Sequence, residues 1–428
     1  MLRSIVFIAI LMTSIFGQNF SIDKIKKEVK AINTQDLIKL LDEKPNTVVL
    51  DVRIKEDIVK QGGYIKANKY TNISRDKLEY LVENEISKDK KVVVYCFNGN
   101  ISLLATKRLN DMGYKNAIWY QDSYKGWSEA KQTISSLDYD TNSILYNKVK
   151  EVSKDVYTSI GATQPSTYEN SGHNNNFGFI VGDESVLVWN AGANYLLAKN
   201  FHEEIKKITN KPVKYVVLEN SQGHAMLGSS YWKEQNAQII SHELAKDEIE
   251  KKGEKIYQRQ KQVLKDKMIG TKVVIPDITF QDTYKIDLGN KTVELKYFGY
   301  AHEYSDIAIW LPKEKILFAG DLAFHQRMLP IFEITDTALW LEAWDKLEEL
   351  NAQIVIPGHG DVTNMTEVRK YTKGYLEFLR TKVEEVLDND GTLEDAYKID
   401  QSEYAHLDTF KQLALRNVAR VFKKMEFE

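Results

Sequence analysis

The one cysteine of this 428-residue chain, Cys96, stands between a valine-rich run, KVVVYC (91–96), and a polar loop leading into an amphipathic segment from about Ile101 to Met112. A short apolar run of this kind reads as a buried strand, and the periodic segment after it as a helix. A thiol at such a junction lies beyond the carboxyl end of a strand, where ligands of open α/β sheets gather. The loop Phe97, Asn98, Gly99, Asn100, Ile101, Ser102 can curl at Gly99 so that successive backbone N–H groups face the sulfur. The helix that follows adds partial positive charge. Both stabilise a thiolate, the nucleophilic form of the side chain, and would cradle a persulfide in the same way. A lone cysteine forms no intramolecular disulfide, and it is ordinarily an inert buried group. The loop argues for a working thiol.

The elements that must hold this loop alternate between strand and helix: TVVLDVR (47–53), a turn at QGGYI, KVVVYC, the helix, and AIWY (117–120). That order predicts a parallel sheet with helices on its faces. Asp51-Val52-Arg53, GGYIKAN (62–68), the Cys96–Ser102 loop and Gly126-Trp127 together make residues 30–138 resemble a rhodanese domain. The resemblance implies that Cys96 carries sulfane sulfur as a persulfide. Two loop positions depart from the sulfurtransferase pattern: Ile101 precedes the serine, and Phe97 follows the cysteine, where arginine is common. Without a guanidinium to pair with an anionic donor, weak turnover of thiosulfate is expected. A less charged persulfide or a protein partner is the better donor.

Beyond residue 150 the apolar runs VYTSIG, FGFIVG, VLVWNAG and KYVVLE precede TYKIDLG, TVELKYFG, DIAIWLP and KILFAGD, with a helical pattern around Tyr195–Thr209. Paired strands followed by helices, twice over, predict two halves packed sheet against sheet with helices outside. The charged stretch from His242 to Lys267 predicts long exposed helices, which would cover a pocket or mediate dimerisation. IWLPKEKILFAGD and IPGHGD, with GYAHEYSD and VVLENSQGHAMLG (216–228), make residues 150–428 resemble the metallo-β-lactamase superfamily. The fold class expected is therefore an α/β rhodanese-like domain followed by a metallo-β-lactamase αββα sandwich.

That second resemblance implies a ligand set. Intact members hold one metal with three histidines, at positions filled here by Asn220, Gln222 and His302. They hold another with an aspartate and two histidines, here His224, Ala225 and His359, and Asp321 is shared. Asn220, Gln222 and Ala225 are thus degenerate ligand positions, and Asn190 replaces a usual aspartate. Amides are poor zinc ligands, so a dinuclear zinc centre is not expected. His224, His302, Asp321 and His359 suit one Zn or Fe(II) ion with open positions, Asp321 also orienting a reacting water. A metal-free relic is the other reading. His173, His202, His242, His325 and His406 are by default ordinary surface or hydrogen-bonded residues, and His173, in GHNNN, is also a candidate for the pocket mouth.

A chain of this length calls for two domains. A net charge of −3 offers no basic patch for nucleic acid. The N-terminus MLRSIVFIAILMTSIFGQNFS has an early cation and an apolar run too short for a comfortable membrane span, so residues 1–18 read as a signal peptide. Export, to a bacterial periplasm, and no membrane attachment after cleavage follow from that reading. The expected function is an exported two-domain protein of sulfur metabolism. Cys96 carries or transfers sulfane sulfur, and the second unit hydrolyses a thiol-derived or persulfide species. The partner is a small sulfur-containing substrate or a persulfide-carrying protein. The alternatives are a non-catalytic carrier or docking protein, and an iron enzyme like the persulfide dioxygenases. The latter have the opposite domain order and a histidine where this chain has Asn220.

Overall fold

Valine-rich strands build a five-stranded parallel sheet in the N-terminal unit, in the order Ala31–Ile32, Ala117–Tyr120, Val92–Tyr95, Val48–Asp51, Lys69–Asn72. Side chains alternate between two cores. Leu50, Val92 and Val94 pack with Ala105 and Leu109 of the helix Asn100–Asp111, whereas Val49, Val93 and Tyr95 pack with Leu37 and Trp127. Both faces are covered, which is why the strands read as unbroken apolar runs. The Asp51–Arg53 pair is buried at 2.6 Å, and the guanidinium also donates to the Gly63 carbonyl and lies 4.2 Å over the Tyr124 ring. These residues fasten the sheet to the turn beside it. The structure, a computed structural model, describes residues 22–136 and 143–428 and separates the chain into units 1–137 and 138–428. The segment expected as a signal peptide lies outside the described residues. No described helix is long and apolar enough to cross a membrane.

The second unit is a four-layer sandwich. Its first sheet runs Lys150–Ser153, Val156–Ser159, Phe177–Val181, Val186–Trp189, Val213–Val217, Gln238–His242, Ile278–Phe280, each strand beside the next. Its second runs Thr283–Asp287, Thr292–Tyr297, Ile307–Leu311, Ile316–Phe324, Ile354–His359, antiparallel until the final parallel pair. Leu187, Trp189, Val217 and Ile240 of one sheet meet Leu295, Ile309, Phe318 and Ile356 of the other in a common core. Helices bury separate cores on the outer faces, around Leu197 and Phe201 on one side and Trp340, Trp344 and Leu376 on the other. The charged stretch forms one 22-residue helix, Glu243–Leu264, rather than several, and it flanks a cleft.

His173 is not at the pocket mouth. It is fully buried, stacked on Phe177 at 4.2 Å, and its Nδ1 accepts the Tyr146 N–H at 2.9 Å. Burial lowers its pKa to about 3, against a backbone hydrogen bond at Ser159 that works the other way. His202, which shares a 2.8 Å hydrogen bond with Tyr231, is lowered to about 4 by burial and then by Lys206. Above the usual 6.5 both rings are neutral, folded or unfolded. Below it the unfolded chain takes up protons that the folded chain refuses, so these residues lower stability as the pH falls. Urea midpoints measured from about pH 7 down to about pH 4 should therefore drop, and drop less steeply in His202→Gln. Identical slopes in the two proteins would refute this.

Candidate functional site

Asp321 lies within the strand Ile316–Phe324, where pairing with Ile354–His359 is irregular around Gly320. Three histidines approach its carboxylate: His359 Nε2 is 3.2 Å from Oδ1, His302 Nδ1 3.5 Å from Oδ2, and His224 Nε2 3.7 Å from Oδ2. All four side chains are buried. His359 ends its strand. His302 sits on the loop before Ile307–Leu311, boxed by Phe324, Phe332 and Trp340. His224 occupies a short helix, Gly223–Met226, instead of a strand end. Glycines make room for the carboxylates. A Cβ at Gly358 would lie 2.5 Å from Asp321 Oδ1, and one at Gly320, where φ is +55°, would lie 2.5 Å from Glu219 Oε2.

The degenerate positions have become hydrogen-bonding groups. Asn220 donates to Asp306 Oδ1 at 2.9 Å and reaches Asp321 Oδ2 at 3.4 Å, and the Gln222 amide lies 3.3 Å from His302 Nδ1. Ala225 is buried, with its carbonyl accepting the Ala191 N–H. A ligand-type residue that the sequence reading passed over stands beside them. Glu219 Oε1 is 3.0 Å from His224 Nε2, and its Oε2 has no hydrogen-bond partner among the described residues. Asn190, itself at φ 66°, accepts the Glu219 N–H at 3.1 Å and so fixes the backbone there. Glu219, His224 and Asp321 each present a ligand atom within 4.8 Å of the others, a group able to hold a metal ion. His302 and His359 touch the same aspartate but stand outside that triad.

More acid surrounds the triad. Glu303 is raised to about 7, first by burial and then by the charge of Asp321. The same two causes, with Glu303 added, raise Asp306 well above the ordinary range. Asp321 stays low: burial opposes its charge, but His359, His224 and His302 outweigh burial. His224 is raised, because Glu219 and Asp321 overcome its burial. On the far side of His359, Arg327 Nη1 lies 3.0 Å from Nδ1.

A cleft of about 890 Å³ opens onto His224, Gln222, Glu303 and Arg327. Six cations line it against three carboxylates. Lys252 and Arg420 are paired with Glu248 and Glu333, whereas Lys255, Arg259 and Arg416 form no ion pair among the described residues.

In the N-terminal unit, Cys96 follows the strand Val92–Tyr95 and is buried. One loop amide points at its sulfur, Gly99 N–H at 3.2 Å, with Gly99 left-handed at φ 91°. The Asn100 N–H turns instead to Asn98 Oδ1, so the expected ring of amides is reduced. Ser102 donates to the Gly99 carbonyl and Ser123 Oγ accepts the Cys96 N–H, which brace the loop. Phe97 and Ile101 are exposed, giving it apolar flanks.

Comparisons with known proteins agree with this architecture. The model of the rhodanese-like domain matches residues 33–130, and that of the metallo-beta-lactamase superfamily matches residues 223–359. The chain therefore carries a rhodanese-like domain followed by a metallo-β-lactamase-fold domain. A metallo-beta-lactamase type 2 of Bacteroides fragilis is 31% identical over 129 residues, 29% of this chain and 51% of that protein. Its counterpart in Bacillus cereus is 24% identical over 172 residues, 39% of this chain and 59% of that protein. The chain thus spans only part of the length of these curated relatives. Among solved structures, a metallo-beta-lactamase from Pontibacter korlensis is 19% identical, covering 54% of this chain and 98% of its own, with a TM-score of 0.45. TMB-1 is 15% identical, covering 54% of this chain and 96% of its own, with a TM-score of 0.43.

The glycine that shapes the centre gives a direct test. Gly320→Ala forces a left-handed alanine, costing about 1–2 kcal/mol, and displaces Glu219 as well. Its denaturant midpoint should fall accordingly, and an unchanged midpoint would remove Gly320 from the account.

Proposed function

We propose that this protein is exported and handles sulfur, with Cys96 carrying sulfane sulfur and the second unit hydrolysing a small anionic thiol-derived or persulfide species. One zinc or ferrous ion, held by Glu219, His224 and Asp321, serves that hydrolysis. The observation that carries this reading is the convergence of those three buried ligand atoms, together with Glu219 Oε2, which has no hydrogen-bond partner among the described residues. A buried polar atom left without a partner is costly, and an ion held beside it would satisfy it. One imidazole with two carboxylates is a donor set that zinc and iron accept. When bound, the ion supplies Lewis acidity toward the reacting carbonyl or water.

The protein's own groups supply the rest. Glu303, on the cleft wall and poised near neutrality, can take and return a proton at its carboxylate, the range in which acid–base catalysis works best. Ser221 donates to Glu303 Oε2 at 3.4 Å and orients it. Lys255, Arg259 and Arg416 attract an anionic substrate to the cleft. The apolar rim of Phe97 and Ile101 favours an uncharged sulfur donor or a persulfide-carrying protein over thiosulfate. The short apolar N-terminal stretch supports export. A metal-free carrier is the competing reading, favoured by the amides at 220 and 222. A persulfide dioxygenase would need a ligand at Asn220, which is bonded to Asp306 instead.

Elemental analysis of protein purified without a chelating resin should find about one equivalent of zinc or iron. It should be lost in Glu219→Gln and in Asp321→Asn, with Cys96→Ser as the unaffected control. Trace metal in the unsubstituted protein would favour the carrier.

Mass spectrometry after exposure to an organic persulfide should show a one-sulfur gain on Cys96, with slow turnover of thiosulfate in the same preparation. Brisk thiosulfate turnover would contradict the reading of the loop.

A further inference from the structure

The His359 side of the centre is closed to metal by the protein itself. A guanidinium has five N–H donors and no acceptor, so the 3.0 Å contact between Arg327 Nη1 and His359 Nδ1 obliges Nδ1 to accept. The ring proton of neutral His359 is then on Nε2, which faces Asp321 Oδ1 at 3.2 Å. Nδ1 is thus taken up by Arg327, and Nε2 carries its proton on the Asp321 side. An ion bound at Nε2 would need the proton on Nδ1, and Nδ1–H would then confront the Arg327 N–H donor to donor. A ligating histidine instead normally gives its second N–H to an acceptor.

Arg327 is also built into position. The adjoining segment is tied to the loop after His359: the Gln326 side chain accepts the Asp361 N–H and donates to Asp361 Oδ2, both at 3.1 Å, and His325 N–H donates to the His359 carbonyl at 3.0 Å. On its other side Met328 N–H donates to Asp408 O at 2.9 Å. The side chain is buried yet lines the cleft floor. Its fixed charge thus lies across His359 from Asp321.

We propose that Arg327 is the resident cation of this half of the centre, standing in for a second metal ion and holding His359 in the Nε2–H tautomer. The centre then accepts at most one ion, at the Glu219 side. This goes beyond the single-ion reading and does not depend on it, because it concerns a site that Arg327 blocks.

The test compares cobalt(II) and zinc titrations of the full chain with those of Arg327→Gln and Arg327→Lys, folding being checked by circular dichroism. Glutamine removes the charge and offers a carbonyl that can accept from Nδ1–H. Arg327→Gln should therefore gain a further equivalent of metal, or bind its metal about tenfold or more tightly. Arg327→Lys, which again offers only donors, should show no gain. A ¹⁵N spectrum of histidine-labelled protein should place the His359 proton on Nε2 in the unsubstituted chain and on Nδ1 in metal-loaded Arg327→Gln. Equal metal binding in the unsubstituted chain and Arg327→Gln overturns the proposal, as does an unsubstituted chain that takes two equivalents. If the unsubstituted chain takes no metal, the single-ion reading fails, while the comparison with Arg327→Gln still decides this one.

Discussion

Four carboxylates share one water-poor pocket in the second unit: Glu219, Glu303, Asp306 and Asp321. Negative charges buried together cannot all persist without positive charge among them. The protein answers in two ways. Asp306 is pushed toward its neutral form and Glu303 to near neutrality, while His224 is drawn toward its charged form by Glu219 and Asp321. Arg327 supplies a permanent cation from behind His359. Any metal ion would enter a pocket whose charge is already partly balanced.

The sandwich exists, in this light, to keep those distances fixed. Asp321 and His359 come from two paired parallel strands, and Glu219 from just beyond the end of a strand in the facing sheet. Packing of the two sheets through Trp189, Phe318 and Ile356 holds these strand ends at constant separation. Loops alone would let like charges drift apart and relax the pocket; rigid sheets do not.

The two units impose different electrostatic demands. The thiol loop of the first is flanked by exposed Phe97 and Ile101 and has no guanidinium of the expected kind. The cleft of the second has Lys255, Arg259 and Arg416, which form no ion pair among the described residues. An uncharged sulfur end suits the former and an anionic body suits the latter. Under the proposed function, a thiol-derived molecule with charged groups remote from its sulfur would satisfy both, whereas a compact sulfur anion such as thiosulfate would satisfy only the second.

How much of this was legible beforehand follows from the kind of signal each residue leaves. The strands were readable because apolar runs such as KVVVYC and DIAIWL record burial directly. The approach of His302 and His359 to Asp321 was reachable from the motifs that carry them, whereas His224, expected at a strand end, reaches Asp321 from a short helix. Glu219 was not, although it is only five residues before His224, because a carboxylate closing a strand leaves no periodic mark. His173 fits its default as a hydrogen-bonded histidine rather than a pocket-mouth residue, because the Tyr146 N–H and the Phe177 ring hold it inside. Arg327 was the least accessible. Its effect arises from the polarity of one hydrogen bond between residues 32 positions apart, and spacing carries no information about which atom donates. A motif can thus locate a histidine at a centre and still leave its ligand role undecided, since that role depends on what stands on the other side of the ring.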